Sequence, residues 1–199
     1  MKHIYIKGSN DNTILLLHGT GGDEHDLLQI GKTIDPNANL LSVRGEVNEN
    51  GQNRFFRRLA VGVLDEQDLK KQSEKLYAFI KEASKNYAFN LDKLSVFGYS
   101  NGANIAISLM FMYEKCFKTA LLAHPMMPYQ RFTIPFQIKS NIFISAGLND
   151  PLVPLDMTQT LMDTFKEKQA LVKTHFGNEG HRFSIEALNL MIDFYHEHA

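Results

Sequence analysis

Short apolar runs recur along this chain and alternate with longer stretches in which apolar residues return at helical spacing. The runs 3–6, 13–17, 39–43, 93–97, 119–123, 141–146 and 171–176 predict strands, punctuated by Gly, Asn, Asp and Pro. Between them, Glu66 to Tyr87 places Leu69, Leu76, Ile80, Ala83 and Tyr87 on one face and charges on the rest, which predicts a helix. Ile105 to Tyr113 and a segment from about Phe183 read the same way. Strands alternating with helices predict an α/β fold, a three-layer α/β/α sandwich on a mostly parallel, doubly wound sheet. Ligands of such sheets bind at the carboxyl ends of the strands. No insertion is large enough for a cap domain.

One strand-to-helix joint carries chemistry. Leu94 to Phe97 runs into Gly98-Tyr99-Ser100-Asn101-Gly102, and a helical pattern follows at once. A G-x-S-x-G motif in that context is a nucleophile elbow. The turn is so sharp that the residues two places on either side must be small, and it lifts the serine hydroxyl above a helix N-terminus.

A serine hydroxyl needs a base, a group to orient that base, and donors for an oxyanion. Asp150 follows the run 141–146 between Gly147 and Pro151, where a carboxylate can be fixed; its competitor Asp156 reads as the cap of the next helix. His181 lies in the loop Gly177-Asn178-Glu179-Gly180-His181, past the last strand. The order Ser100, Asp150, His181 is that of α/β-hydrolases rather than of chymotrypsin or subtilisin. Among the other histidines, His175 sits within a strand, His196 and His198 in the carboxyl-terminal tail, and His3 and His25 show no partner pattern. The backbone N–H of Asn101 and that of Thr20, in the glycine-rich turn His18-Gly19-Thr20-Gly21-Gly22, are the candidate oxyanion donors. His18 is expected to brace that turn and Asp23 to cap a helix after it. The turn lacks both G-x-G-x-x-G and a Walker lysine, which weakens a phosphate-binding reading.

Two connections are candidates for the pocket. Arg44 to Leu64 carries Arg44, Arg54, Arg57 and Arg58 among Phe55, Phe56 and Leu59. Arg54, Phe55 and Arg57 are its candidate substrate contacts, against the alternative of surface arginines over core phenylalanines. His124-Pro125-Met126-Met127 follows a strand end, so His124, Met126 and Met127 should border the site.

These motifs resemble the α/β-hydrolase superfamily and, within it, the phospholipase/carboxylesterase branch of small bacterial carboxylesterases and acyl-protein thioesterases. The resemblance covers nearly the whole chain, from Leu17-His18-Gly19-Thr20-Gly21-Gly22-Asp23-Glu24 through the elbow to Gly147-x-x-Asp150-x-x-Val153-Pro154 and Gly180-His181. Val43-Arg44-Gly45 followed by Asn53-Arg54-Phe55-Phe56-Arg57-Arg58 is similar to bacterial hydrolases associated with quinone or hydroquinone stress. Dienelactone hydrolases carry a cysteine at the elbow, and Ser100 departs from that pattern. The resemblance implies hydrolysis of small or short-chain esters or thioesters through an acyl-enzyme. Acyl-carrier, acyl-protein or lysophospholipid hydrolysis uses the same residues, and a non-catalytic binding module can share the fold.

Composition narrows the field. A chain of 199 residues, 44% hydrophobic, fills one core and suggests a single domain over 1–199. A net charge of −1 and a pI near 6.7 speak against nucleic acid or anionic membrane as partner. One cysteine, Cys116, rules out an internal disulfide, and without an apolar leader the expected location is the cytoplasm. No cofactor is called for, and no paired Cys/His spacing suggests a metal. The expected partner is a small-molecule ester; pairing of two copies as a homodimer is left open.

Overall fold

The computed structural model describes residues 1–60 and 62–199. In chain order the elements are β1 (His3–Ile6), β2 (Thr13–Leu17), α1 (Leu28–Ile34), β3 (Asn39–Val43), β4 (Val47–Glu49), β5 (Gln52–Arg54), β6 (Arg58–Ala60) and β7 (Val63–Leu64). There follow α2 (Glu66–Tyr87), β8 (Leu94–Tyr99), α3 (Asn101–Met112), β9 (Thr119–Ala123), β10 (Asn141–Gly147), α4 (Leu155–Glu167), β11 (Leu171–Gly177) and α5 (Ile185–His198). The main sheet has the order β1-β3-β2-β8-β9-β10-β11. Only β1 runs antiparallel, against β3; every other pair is parallel.

The strand sequences explain the layering. Ile14, Leu15, Leu16 and Leu17 of β2 are fully buried, so both faces of this strand need a helical cover. On one face, Leu15 and Leu17 pack with Leu69, Leu76 and Ile80 of α2, Ile105 and Leu109 of α3, and Leu161 and Phe165 of α4. On the other, Ile14 and Leu16 pack with Ile34 of α1 and Met191, Phe194 and Tyr195 of α5. The result is the three-layer α/β/α sandwich expected from the alternation. No helix is long and apolar enough to cross a membrane among the described residues.

Several boundaries differ from the expectation, each for a local reason. The elbow feeds the helix without a break, so α3 begins at Asn101 rather than Ile105. Asp23 does not cap α1: its Oδ1 accepts the His25 N–H at 2.8 Å within a turn, and α1 starts later, at Leu28, with no side-chain cap. Asp156 lies in the first turn of α4, where its charge suits the helix dipole, while Pro154 holds the cap position. Asp65 and Ser184 are the side-chain caps of α2 and α5. His196 and His198 belong to α5, which continues into the tail: His196 is exposed, but His198 packs on Phe194. His3 does have a partner, its Nε2 lying 2.8 Å from the Tyr87 hydroxyl. The Arg44–Leu64 connection folds into two short hairpins, β4-β5 and β6-β7. Strands of two or three residues are too short to leave a periodic signal.

Candidate active site

The elbow is sterically forced. Ser100 sits at φ 51°, ψ −109°, outside the conformations a serine ordinarily adopts, at a cost on the order of 1–3 kcal/mol. Its N–H donates to the Ala123 carbonyl at 2.8 Å, tying the turn to the neighbouring strand β9. A Cβ on Gly102 would lie 2.0 Å from the Leu17 carbonyl oxygen, and one on Gly98 would lie 2.8 Å from the Ala103 backbone. Any larger residue at Gly102 would push α3 off β2.

The elbow brings Ser100 to His181, and Asp150 stands behind them. Ser100 Oγ lies 2.9 Å from His181 Nε2, and His181 Nδ1 lies 2.7 Å from Asp150 Oδ2. An ionised carboxylate only accepts, so Nδ1 carries the proton and Nε2 is left to accept from the Ser100 hydroxyl. Asp150 follows β10, where its Oδ1 accepts the N–H groups of Leu152 and Val153 at 2.8 and 3.1 Å. Burial alone would raise its pKa, but the Leu152 N–H, His181 and His124 together outweigh burial and hold the carboxyl below its usual value. The His181 loop is pinned by two contacts. Tyr99 Oη donates to the His181 carbonyl at 2.7 Å, and the Gly180 carbonyl packs so closely on Gly147 that a Cβ there would lie 2.0 Å away.

The two oxyanion candidates flank the same cleft. Asn101 is the first residue of α3, where backbone N–H groups have no intrahelical partner. The Thr20 N–H makes no hydrogen bond among the described residues, and Arg54 Nη1 donates to Thr20 Oγ1 at 2.8 Å. The turn itself is braced by His18: Nδ1 donates to the Gly19 carbonyl at 2.6 Å, and Nε2 accepts the Gly45 N–H at 3.0 Å.

The cleft encloses about 340 Å³ and contains Ser100 and His181. Its lining is part polar, with Gln52, Arg54 and Arg58, and part apolar, with Leu64, Met126, Leu152 and Val153. Of the pocket candidates, Arg54, His124 and Met126 line this cleft. Three other pocket candidates do not. Phe55 is 1% exposed in the core, its ring 4.7 Å from that of His18. Arg57 turns away to pair with Asp65 at 3.1 Å and Asp68 at 3.8 Å. Met127 lines a neighbouring depression with Pro128 and Tyr129. Arg44 also faces elsewhere, pairing with Asp23 at 3.0 Å and with Glu24.

Arg58, one of the four loop arginines but not among the candidate contacts chosen from the sequence, lines the cleft and makes no ion pair among the described residues. Sequence reasoning missed two side chains that fix the elbow's surroundings. Asn101 Oδ1 accepts the Phe55 N–H at 2.7 Å and Asn104 Oδ1 the Met126 N–H at 2.9 Å, joining α3 to both pocket-bearing connections. Nor did it place His124 on Asp150, where Nδ1 lies 3.1 Å from Oδ2. A titratable residue one position past a central strand was the available signal. Among the described residues, His124, Asp150 and His181 could together offer three ligand atoms to a cation. The nitrogens facing Asp150 are at hydrogen-bond distance from one carboxylate oxygen, so as they stand they are donors rather than ligands.

The model of the dienelactone hydrolase family matches residues 44–199. MhqD of Bacillus subtilis (strain 168), which bears the name of a hydrolase, is 45% identical over 197 residues, 99% of this chain and 98% of that protein. The crystal structure of a Bacillus cereus carboxylesterase is 42% identical and superimposes with a TM-score of 0.96, covering 99% of this chain and 94% of the other. The structure of YahD with malic acid is 28% identical, with a TM-score of 0.93 over 100% of this chain and 99% of the other.

Proposed function

Because this chain belongs to the dienelactone hydrolase family, a hydrolase family on the α/β-hydrolase fold, we propose that it is a serine carboxylesterase acting on small esters. The reading rests on one observation: Ser100, His181 and Asp150 form a continuous hydrogen-bonded relay at a strained elbow. In this mechanism His181 Nε2 takes the proton of Ser100 as Oγ attacks the ester carbonyl, forming the C–O bond of a tetrahedral intermediate. The N–H groups of Thr20 and Asn101 hold the oxyanion. His181 returns the proton to the departing alkoxide, leaving an acyl group on Ser100. Water, deprotonated by His181, then attacks that acyl-enzyme and releases the acid. Asp150 holds the imidazole in the required tautomer and stabilises its charged form.

Ser100 departs from the cysteine elbow of dienelactone hydrolases, and it relies on His181 for activation where a thiol partly ionises alone. The cleft's mixed lining suits a small acyl group against Met126 and Val153 and an anionic or hydrogen-bonding end against Arg54 and Arg58. The malic acid in the YahD structure, a small polar acid, agrees with that preference. Replacing Ser100 by Ala should leave the circular dichroism spectrum unchanged and lower ester turnover by roughly 10⁴-fold or more. Near wild-type kcat in the folded variant would overturn the reading.

A further inference from the structure

We propose that His124 is a positioning residue of this site, its Nδ1–H filling the last acceptor position of the Asp150 carboxylate. The inference rests on the serine hydrolase reading above. A carboxylate offers about four acceptor sites. In Asp150, Oδ1 takes the N–H groups of Leu152 and Val153, and Oδ2 takes Nδ1 of both His181 and His124, at 2.7 and 3.1 Å. Both side chains of the His124–Asp150 pair are almost fully buried, at 2% and 1% exposed. No solvent competes for that oxygen. The hydrogen-bond direction follows from the acceptor: an ionised carboxylate cannot donate, so His124 must present an N–H.

The backbone is built to hold this ring in place. His124 follows β9 at φ 51°, a left-handed conformation, and its N–H donates to the Ser145 carbonyl at 2.7 Å. Its Nε2 lies 3.0 Å from the carbonyl of Arg182, the residue after the proposed base. One imidazole thus stands among the end of β9, the Asp150 loop and the His181 loop. The titratable groups facing it are Asp150 after β10, His181 after β11 and Tyr99 of β8, with ring centroids 5.0 Å away for His181 and 6.0 Å for Tyr99. Burial first, and then His181, hold its pKa below the ordinary histidine value. A neutral ring has one proton for two acceptors, Asp150 Oδ2 and the Arg182 carbonyl; the charged carboxylate is the stronger and holds it on Nδ1, and the Arg182 contact becomes a donated hydrogen bond on acidification.

Two consequences follow for catalysis. Without His124, Asp150 loses one of the four donors that fix its orientation, so the His181 tautomer is held less firmly and kcat falls. Its Oδ2 also becomes available to His181 alone, which favours the charged imidazole, so the acid limb of kcat/KM moves to higher pH. A ring that merely filled space would not move that limb.

Two substitutions separate the contacts. Asparagine carries its amide nitrogen at the δ position, like His Nδ1, and tolerates positive φ; glutamine carries it at the ε position, like Nε2. His124→Gln should lower kcat roughly 10- to 100-fold, as for loss of a hydrogen bond to a charged group, with KM little changed and the acid limb moved up. His124→Asn should keep the wild-type limb and most of kcat. Equal losses in both variants with an unmoved limb, or no loss in either, would overturn the proposal. Nitrogen-15 spectra of the histidine rings test it in the unaltered protein: Nδ1 of His124 protonated at neutral pH supports it, and Nδ1 bare overturns it. A wild-type protein whose ester turnover does not depend on Ser100 would instead tell against the serine hydrolase reading.

Discussion

Ser100 Oγ and His181 Nε2, 81 residues apart in the chain, meet at 2.9 Å because two strand ends in one mostly parallel sheet deliver them to the same edge. The elbow lifts the serine above β8, and the loop after β11 carries the histidine back across the ends of β10 and β9. Triad members act as a unit, so His181→Ala should cost about as much turnover as loss of Ser100. His175→Ala, on the edge strand and outside the cleft, should leave kcat/KM with a small ester unchanged. Steady-state kinetics of the two variants compares them; equal effects would contradict the assignment of the base.

Much of this geometry was legible beforehand because it depends on chain order and on local sterics. Continuous apolar runs such as Ile14–Leu17 mark doubly covered strands, and glycines around Ser100 mark a turn with no room for side chains. What stayed hidden depends on partner choice across space. Arg54 and Arg57 look alike in sequence, yet one meets Thr20 and the other meets Asp65 and Asp68. Phe55 reads equally well as a pocket wall or as core. Asp23 and Asp156 both had the composition of caps, but the turn before α1 and Pro154 before α4 set those starts instead. His124 carried a positional hint at the end of β9, though nothing local revealed the carboxylate opposite it.

The arginines should divide by their partners. Arg58→Ala should raise KM for an anionic ester about tenfold while sparing a small neutral ester, as expected for a charge-assisted contact. Arg57→Ala should leave both substrates unaffected and cost about 1 kcal/mol of stability, since its guanidinium is largely exposed although Asp65 and Asp68 are not. Parallel kinetics on the two esters decides it; a substrate-selective effect at Arg57 and none at Arg58 would reverse the assignment.

The turn before α1 should make stability sensitive to acid. Burial holds the His18 pKa below its ordinary value, and its Nε2 must stay unprotonated to accept the Gly45 N–H. A depressed histidine pKa means that the unfolded chain binds the proton more readily. This contribution is therefore full above the unfolded value of about 6.5 and is lost as pH falls through the lower folded value. Urea unfolding in the wild type should show stability declining below about pH 6.5. His18→Ala should be about 1–3 kcal/mol less stable at pH 8, from the unpaired Gly45 N–H, with a shallower decline in acid. An identical slope in the variant would remove His18 from this role.

The elbow glycine offers a purely steric test. Gly102→Ala places a methyl group 2.0 Å from the Leu17 carbonyl, a contact that only backbone movement can relieve. The variant should lose roughly 1–3 kcal/mol or more and most of its turnover. A thermal melt and a kinetic assay check this, and a wild-type melting temperature with full activity would show that α3 and β2 approach less closely.

Reaction with a fluorophosphonate, read by intact mass and peptide mapping, tests the central claim most directly, because it reports an activated serine without any assumption about substrate. The folded protein should gain one adduct, on the peptide containing Ser100, and His181→Ala should react far more slowly. No adduct on folded protein, or an adduct on another residue with Ser100 unmodified, would contradict the account.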